Sequence, residues 1–360
     1  MNNDYPKYFL AANSCEGFVS YFDDSFDYSD GWRAFIIKGG PGTGKSSFMK
    51  YIASKAKDAG YDVDLCYCSS DPHSLDAIII KKLKITILDG TAPHVVEPQY
   101  PGACEQIINL GEFWNDKKLF EKAQDIISVT NQNKQLHKTA SAYISAAGEL
   151  IYDNFKLSQK YTDLKSAQYF GESLAQRLLS KNKKSKAHEW VRFIGGVSPN
   201  GIIQYQDTIN NFYENVIVIE DKYGAAANEI MNAVRKIALL RGYEIITLKN
   251  PFLPSKITDH ILIPELSLAF VREYEFMKFD GDYRRIHARR FADVNLMHSL
   301  RGRMLFNRRT SRELLLGAVQ TLSNAKAVHD EIEKYYIESM DFDAISHFAT
   351  EKAKEILRQA

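Results

Sequence analysis

Apolar and polar positions alternate along this chain in two rhythms, and each rhythm occurs twice. Short apolar runs bounded by glycine come first, and long proline-free stretches with apolar residues every three or four positions follow. "AFIIK" (Ala34 to Lys38) reads as a buried parallel strand. "SSFMKYIASKAKDAG" after it puts Phe48, Ile52, Ala53 and Ala56 on one helical stripe and stops at Gly60. "YDVDLCYC" reads as the next strand, and "LKITIL" (Leu83 to Leu88) as a buried strand that ends in Asp89. From Asp116 to Ser180 the spacing of Tyr143, Ala147, Leu150, Ile151 and Phe155 predicts two or three long helices, and the tail from Leu300 to Ala360 reads the same way.

The strands repeat. Setting Gly60 of "GYDV" on Gly242 of "GYEI" gives an offset of 182 (242 − 60), which puts Ile36-Ile37 on Val218-Ile219, Gly42 on Gly224 and Pro72 on Pro254. With one extra residue in the second copy, "IIIKKLKITIL" falls on "ILIPELSLAFV"; upstream, "FLAANSCEGFVSY" parallels "FIGGVSPNGIIQY". The expected architecture is α/β: duplicated P-loop NTPase-like parallel-sheet domains, each with a long helical appendage. The expected boundaries are 1–115 for the active copy, 116–186 for a helical insertion and linker, 187–299 for a degenerate copy and 300–360 for a helical tail. "SKNKKSK" (Ser180 to Lys186) is the linker, or else a solvated helix end.

The first copy carries chemistry. Gly39, Gly40, Pro41, Gly42, Thr43, Gly44, Lys45 and Ser46 satisfy G-x-x-x-x-G-K-[ST], between a strand and a helix as the motif requires. Glycines let backbone N–H groups turn inward, and the following helix offers its positive end to phosphate. Lys45 is expected to reach the β- and γ-phosphates of ATP, with Ser47 completing the cradle, while Ser46 and Asp89 ligate Mg²⁺. Gly90 stands where many ATP hydrolases place a water-polarising glutamate. In "CSSDPHSLD", Asp71 is the expected general base for a water or a substrate hydroxyl, with His73 and Asp76 as other groups that could face the γ-phosphate; a plain turn-and-cap role is the alternative. "DGTAPHVVEPQYPG" borders the same pocket as a lid or substrate loop.

The second copy loses that chemistry. Gly39 meets Asp221, Gly40 meets Lys222, Gly44 meets Ala226, Lys45 meets Ala227, Ser46 meets Asn228 and Asp89 meets Arg272. Glu220 and Asp221 would repel a triphosphate, so this half is expected to be structural or regulatory. Arginine concentrates from Arg284 to Arg312, including Arg289, Arg290, Arg301, Arg303, Arg308 and Arg309. One could serve as an arginine finger on the first half, or the group could bind nucleic-acid phosphates; a solvated basic face paired with acids is the alternative.

Composition changes little. The chain has 360 residues, 45% hydrophobic and 25% charged, which suits two globular domains, and a net charge of +1 that gives no global pull on nucleic acid or membrane. No signal peptide and no membrane-spanning run is visible, and Cys15, Cys66, Cys68 and Cys104 form no C-x-x-C pair, so a reducing cytoplasm is expected. Cys66, Cys68, His73, His94 and Cys104 cluster in sequence but match no zinc spacing.

"GGPGTGKSSFMK", "CSSDPHSLD", "ILDGTAPHVVEPQYPG" and "IINLGEFW" together resemble a family of bacterial P-loop ATPase-like proteins, common in Firmicutes, with two tandem P-loop NTPase halves. The resemblance covers nearly the whole chain. It implies a cytosolic nucleotide-binding protein, with Gly39 to Ser47 on phosphate and Asp89 on the metal. In that family the second half often keeps a glycine loop, whereas this chain has Ala226-Ala227-Asn228 there. Three functions are then expected in turn: Mg²⁺-dependent ATP hydrolysis coupled to a protein or small-molecule partner, a small-molecule kinase, or a nucleotide-controlled switch on nucleic acid.

Overall fold

The two halves build two sheets with one shared strand order. The computed structural model describes residues 5–92, 95–181 and 187–358. In the first half the elements are β1 (Lys7–Tyr8), β2 (Ala11–Ser14), β3 (Gly17–Ser20), β4 (Arg33–Lys38), α1 (Lys45–Asp58), β5 (Asp64–Tyr67), β6 (Leu75–Ile80), β7 (Ile85–Asp89) and β8 (Glu105–Asn109). Helices α2 (Asp116–Glu121), α3 (Ala123–Tyr161) and α4 (Leu164–Leu178) follow. The second half has β9 (His188–Arg192), β10 (Gly195–Ser198), β11 (Gly201–Gln204), α5 (Asp207–Phe212), β12 (Asn215–Glu220), α6 (Ala225–Leu240), β13 (Glu244–Lys249), β14 (Thr258–Ile263), β15 (Leu268–Glu273) and β16 (Arg284–His287). It closes with α7 (Val294–Ile337) and α8 (Phe342–Arg358). The sheets run β1-β5-β6-β7-β4-β8 and β9-β13-β14-β15-β12-β16, position for position the same.

The sheets are mixed, which corrects the expectation of parallel sheets. β6 runs antiparallel between β5 and β7, as β14 does between β13 and β15; the remaining pairings are parallel. The cause is a tight turn inside the apolar run. Lys84 (φ 55°) and Ser267 (φ 47°) adopt the left-handed conformation after short 3₁₀ turns at Lys81–Leu83 and Pro264–Leu266, and each closes a hairpin. Read without that turn, Ile78 to Leu88 looks like one continuous connection.

Both faces of each sheet are buried. Ile36 and Leu88 of the first sheet meet Val218 and Leu262 of the second in one shared core, where Trp32 and Trp190 approach to 4.9 Å between ring centroids. On the outer faces Phe35 and Ile37 pack under α1 and α8, and Ile217 and Ile219 under α6 and α4. The order of layers is therefore helices, sheet, sheet, helices. A pseudo-two-fold axis passes between Phe9 and Phe193, equivalent residues that exchange backbone bonds of 2.8 and 2.9 Å.

The helical appendages cross over. At the end of α3, Asp163 N–H donates to Phe291 O and Asp293 N–H to Tyr161 O, both at 2.7 Å, so α4 packs on α6 of the second half. At the end of α7, Asp341 N–H donates to Phe113 O (2.9 Å) and Asn115 N–H to Ser339 O (2.8 Å), so α8 packs on α1 of the first half. These are the same bonds at an offset of 178 (341 − 163 and 293 − 115), so the helices belong to the repeat as well. α3 and α7 lie antiparallel along their length, with Asn133 bonded to Ala325 O and Arg303 to Asp153. Of the linker, 182–186 lies outside the described residues, and among the described residues no helix is long and apolar enough to cross a membrane.

Candidate functional site

The loop between β4 and α1 is shaped by glycine. Gly42 (φ 70°) and Gly44 (φ 86°) hold left-handed conformations that side chains disfavour, and no side chain caps α1. Lys45 folds back over the loop: Nζ donates to Gly40 O (2.8 Å) and Gly39 O (3.1 Å) and lies 3.5 Å from Asp89 Oδ2. Their side chains are only 12% and 15% exposed. Thr43 Oγ1 donates to Gly40 O, Pro41 is half-buried, and Ser47 is exposed at the rim. Ser46 Oγ accepts from Leu75 N (2.9 Å), while Asp89 Oδ1 accepts from Thr91 N and Oγ1, which turns Oδ2 toward the lysine. Lys45, with Ser46 next to it in the chain, thus meets Asp89, which lies 44 residues later (89 − 45), at the carboxyl end of β4 and β7.

Gly90 has a steric reason. A Cβ there would lie 2.3 Å from Ile36 Cγ2, so no glutamate fits beside Asp89 in this backbone. Sequence reasoning missed Lys38, whose Nζ donates to Gly90 O (2.9 Å), Val96 O (2.8 Å) and Glu97 Oε1 (2.6 Å) and so ties down the loop after Asp89. Its only signal was a cation at the last strand position before the glycines.

The turn after β5 serves two roles. Asp71 Oδ1 accepts from His73 N, the capping role, while Oδ2 lies 3.4 Å from Lys326 Nζ on α7. The turn is tied to α1 by Lys50 Nζ on His73 O (2.6 Å) as well as by Ser46. The His73 ring is exposed, and Asp76 is 5% exposed in the core beside Cys68, so neither is placed like Asp71. The end of α7 covers the loop: a Cβ on Gly40 would lie 2.5 Å from the Tyr336 ring, and one on Gly42 would lie 2.9 Å from Glu333 O. Burial draws the Lys326 pKa down, but its bond to Asp330 and the charge of Asp71 outweigh it, and the net shift is upward. Neither the Lys326 contact nor the cover by α7 was visible in sequence, because both depend on the crossover.

No family model, curated protein or solved structure matches the chain. The geometry alone carries the functional reading.

The second loop repeats this geometry with other groups. Asp221 folds into the cradle, its Oδ1 accepting from Gly224 N (2.9 Å) and Tyr223 N (3.2 Å) and its Oδ2 from Ala227 N (2.9 Å). Arg272, 4% exposed, donates to Asp221 O (2.8 Å) and Lys222 O (3.2 Å), the counterparts of the two carbonyls that Lys45 holds. Its other arm pairs with Asp259 at 2.6 Å. Asn228 Oδ1 accepts from Thr258 N (3.0 Å), as Ser46 does from Leu75. His260 Nδ1 accepts from Arg272 N, and burial pushes the imidazole pKa down to about 4, which keeps that acceptor neutral. Carboxylate and guanidinium fill this loop from within.

Arg285, Arg290, Arg301, Arg303, Arg308 and Arg312 have their partners away from the first loop, which corrects the arginine-finger expectation for these six. α7 starts at the second half, so Arg303 pairs with Asp153, Arg308 and Arg312 lie near Glu275, and Arg301 and Arg308 face Lys222. Arg285 bonds Glu220 and Glu273, and Arg290 lies over Phe170. Among the described residues no group of three or more His, Cys, Asp or Glu is arranged to hold a metal, and burial pushes the Cys66 thiol up to about 12; His94 lies outside the described residues.

Proposed function

We propose that the first half is a P-loop NTPase-like site that binds ATP with Mg²⁺ and hydrolyses it, and that the second half is a degenerate copy of the same fold. The observation that carries this is the Lys45 ammonium, held by two loop carbonyls 3.5 Å from Asp89 at the uncapped start of α1. Such an ammonium exchanges carbonyls for phosphate oxygens at little cost in reorganisation. Gly39 to Ser47 would cradle the phosphates with backbone N–H groups.

The donor set fits Mg²⁺. One hydroxyl (Ser46) and one carboxylate (Asp89) suit a cation that takes its other ligands from phosphate and water. Bound there, it would neutralise charge on the β- and γ-oxygens. Asp71 has an oxygen directed away from its own turn and serves as the base that orients the attacking water. The free thiols of all four cysteines fit a reducing cytoplasm.

One observation favours a second reading. The space beside Asp89 admits no water-polarising carboxylate at position 90, and a kinase needs none if Asp71 takes the proton of a substrate hydroxyl. Mg²⁺-ATP turnover by the full chain and by Lys45→Ala, with products identified, tests both. Loss of about 100-fold or more in the variant is expected, with ADP and phosphate for a hydrolase and a phosphorylated acceptor for a kinase. Equal turnover by the two proteins would remove the proposal.

A further inference from the structure

The pseudo-two-fold axis lets each group over the first loop be compared with its counterpart over the second, within one chain. Along the helices the offset is 178, so Lys326, His329 and Glu333 on α7 correspond to Gly148, Ile151 and Phe155 on α3. Asp71 corresponds to Leu253 at the strand offset of 182. Over the second loop Ile151, Phe155 and Leu253 share one apolar cluster. Over the first, the same places carry charge, joined by the Lys326–Asp71 pair at 3.4 Å and a His329–Glu333 contact, also at 3.4 Å.

The copy that lacks the loop lysine, the hydroxyl and the strand aspartate therefore also lacks the turn aspartate and the helix lysine. A pair that served packing alone would have no reason to disappear with the phosphate chemistry. Position agrees with this. The turn that carries Asp71 is bonded to Ser46 at Leu75 and to Lys50 at His73, so it stands on the Ser46 side of the cradle. Lys326 lies about 10 Å along α7 from Glu333, at the rise of a helix, and the backbone of Glu333 touches Gly42. A terminal phosphoryl group directed from the loop toward the Ser46 side would approach the turn of Asp71, and with it Lys326.

We propose that Lys326 is a catalytic finger, supplied by the helix of the second repeat to the terminal phosphoryl group of a nucleoside triphosphate held by the first. This rests on the nucleotide reading above. In the step, a water or hydroxyl oxygen bonds to the γ-phosphorus. The bond from that phosphorus to the β–γ bridging oxygen breaks, its electron pair stays on the nucleoside diphosphate, and the proton of the nucleophile passes to Asp71. Lys326 transfers nothing; it leaves Asp71 and Asp330 for the phosphoryl oxygens and spreads their charge. Its departure uncovers the Asp71 oxygen that takes the proton, so base and finger become available together. The raised pKa of Lys326 keeps it cationic through neutral pH.

The test is equilibrium binding to the full chain of Mg²⁺-ADP alone and of Mg²⁺-ADP with aluminium fluoride, a mimic of the transferring phosphoryl group. Lys326→Met, Lys326→Arg and Lys45→Ala are run beside the wild type. The expected result is a gain of about 100-fold from fluoride in the wild type. That gain should be mostly lost in Lys326→Met and partly kept in Lys326→Arg, with ADP affinity within about threefold of wild type in both. Lys45→Ala should lose ADP itself. A full fluoride gain in Lys326→Met overturns the finger, as does no gain in the wild type, and so does loss of ADP from Lys326→Met to the extent seen in Lys45→Ala. Failure of the wild type to bind ADP or ATP is a different result, which removes the nucleotide reading and the finger with it.

Discussion

Asp221 occupies the second loop as a tethered anion. Its carboxylate takes three backbone N–H groups around the start of α6; those of Gly224 and Ala227 correspond to Gly42 and Lys45 of the first loop, whereas that of Tyr223 corresponds to Pro41, which has no N–H. Truncation to alanine should orphan those donors in a buried place and remove a negative charge near Arg272, whose bond to the backbone carbonyl of residue 221 remains. Asp221→Ala should lower stability by about 2–4 kcal/mol, the range for charge-assisted bonds lost with their donors left unsatisfied. Added sulfate or inorganic phosphate should restore part of that, because the emptied cradle becomes an anion site; the wild type should show no such rescue. Thermal unfolding of the two proteins with and without sulfate checks it. A sulfate response of equal size in both would mean that Asp221 does not fill the cradle. The sequence shows two acids where phosphate would sit, and repulsion follows from that alone. It does not show which carboxylate turns inward: Glu220 instead pairs with Arg285 and His287, which arrive 65 and 67 residues later.

Among elements, the crossover of α4 and α8 decides what each helix face must tolerate. Gly171 on α4 lies against α6, where a Cβ would stand 2.9 Å from Ile230 Cα and 3.0 Å from Ile230 O, backbone atoms that cannot swing aside. Gly302, exposed within α7, has nothing within 4 Å of its would-be Cβ. Alanine improves helix propensity equally at both, by about 1 kcal/mol, so the two substitutions separate propensity from contact. Gly302→Ala should stabilise by about 0.5–1 kcal/mol; Gly171→Ala should destabilise by about 1–3 kcal/mol, since overpacking outweighs the gain. Denaturant midpoints measure both, and a stabilised Gly171→Ala would mean that α4 does not sit on α6 as described. The helices themselves are legible from their apolar spacing, and so are most strands. The partner of each helix is not. Amphipathic faces say that a surface will be covered, but α4 follows the first half and covers the second, a choice fixed by bonds such as Asp163 to Phe291 that join segments 128 residues apart (291 − 163). The hairpin at Lys84 was hidden for a smaller reason: a non-glycine residue takes the left-handed position, so no turn residue announces it.

At the scale of the molecule, the halves have no inner surface of their own. Each sheet covers the other's inner face, each helical arm covers the other's outer face, and Arg192 of the second half, 1% exposed, pairs with Asp64 of the first at 2.6 Å. The strand duplication is readable in the sequence at its offset of 182, and it suggests two domains side by side. What the sequence cannot convey is that the copies face each other, because an apolar strand looks the same whether helices or a second sheet cover it. This arrangement makes a prediction that a pair of tethered domains would not share. A chain of two independent domains unfolds in two steps whenever their stabilities differ. Here, opening either half exposes the inner face of the other sheet and strips a helical arm from it, so neither half should survive alone. Trp32 and Trp190 report on the contact between the sheets and Trp114 on the junction with Met340, while far-UV circular dichroism follows all the helices. Unfolding in urea should give coincident tryptophan and dichroism transitions with one midpoint. Arg192→Met, which leaves Asp64 with only Lys81 at 3.9 Å as a cationic partner, should shift both signals together to lower urea, by the equivalent of about 3 kcal/mol. Two midpoints in the wild type, or a tryptophan transition that precedes the loss of helix, would show the halves to be separable, and the cover that each gives to the other's loop would then be incidental to how the site works.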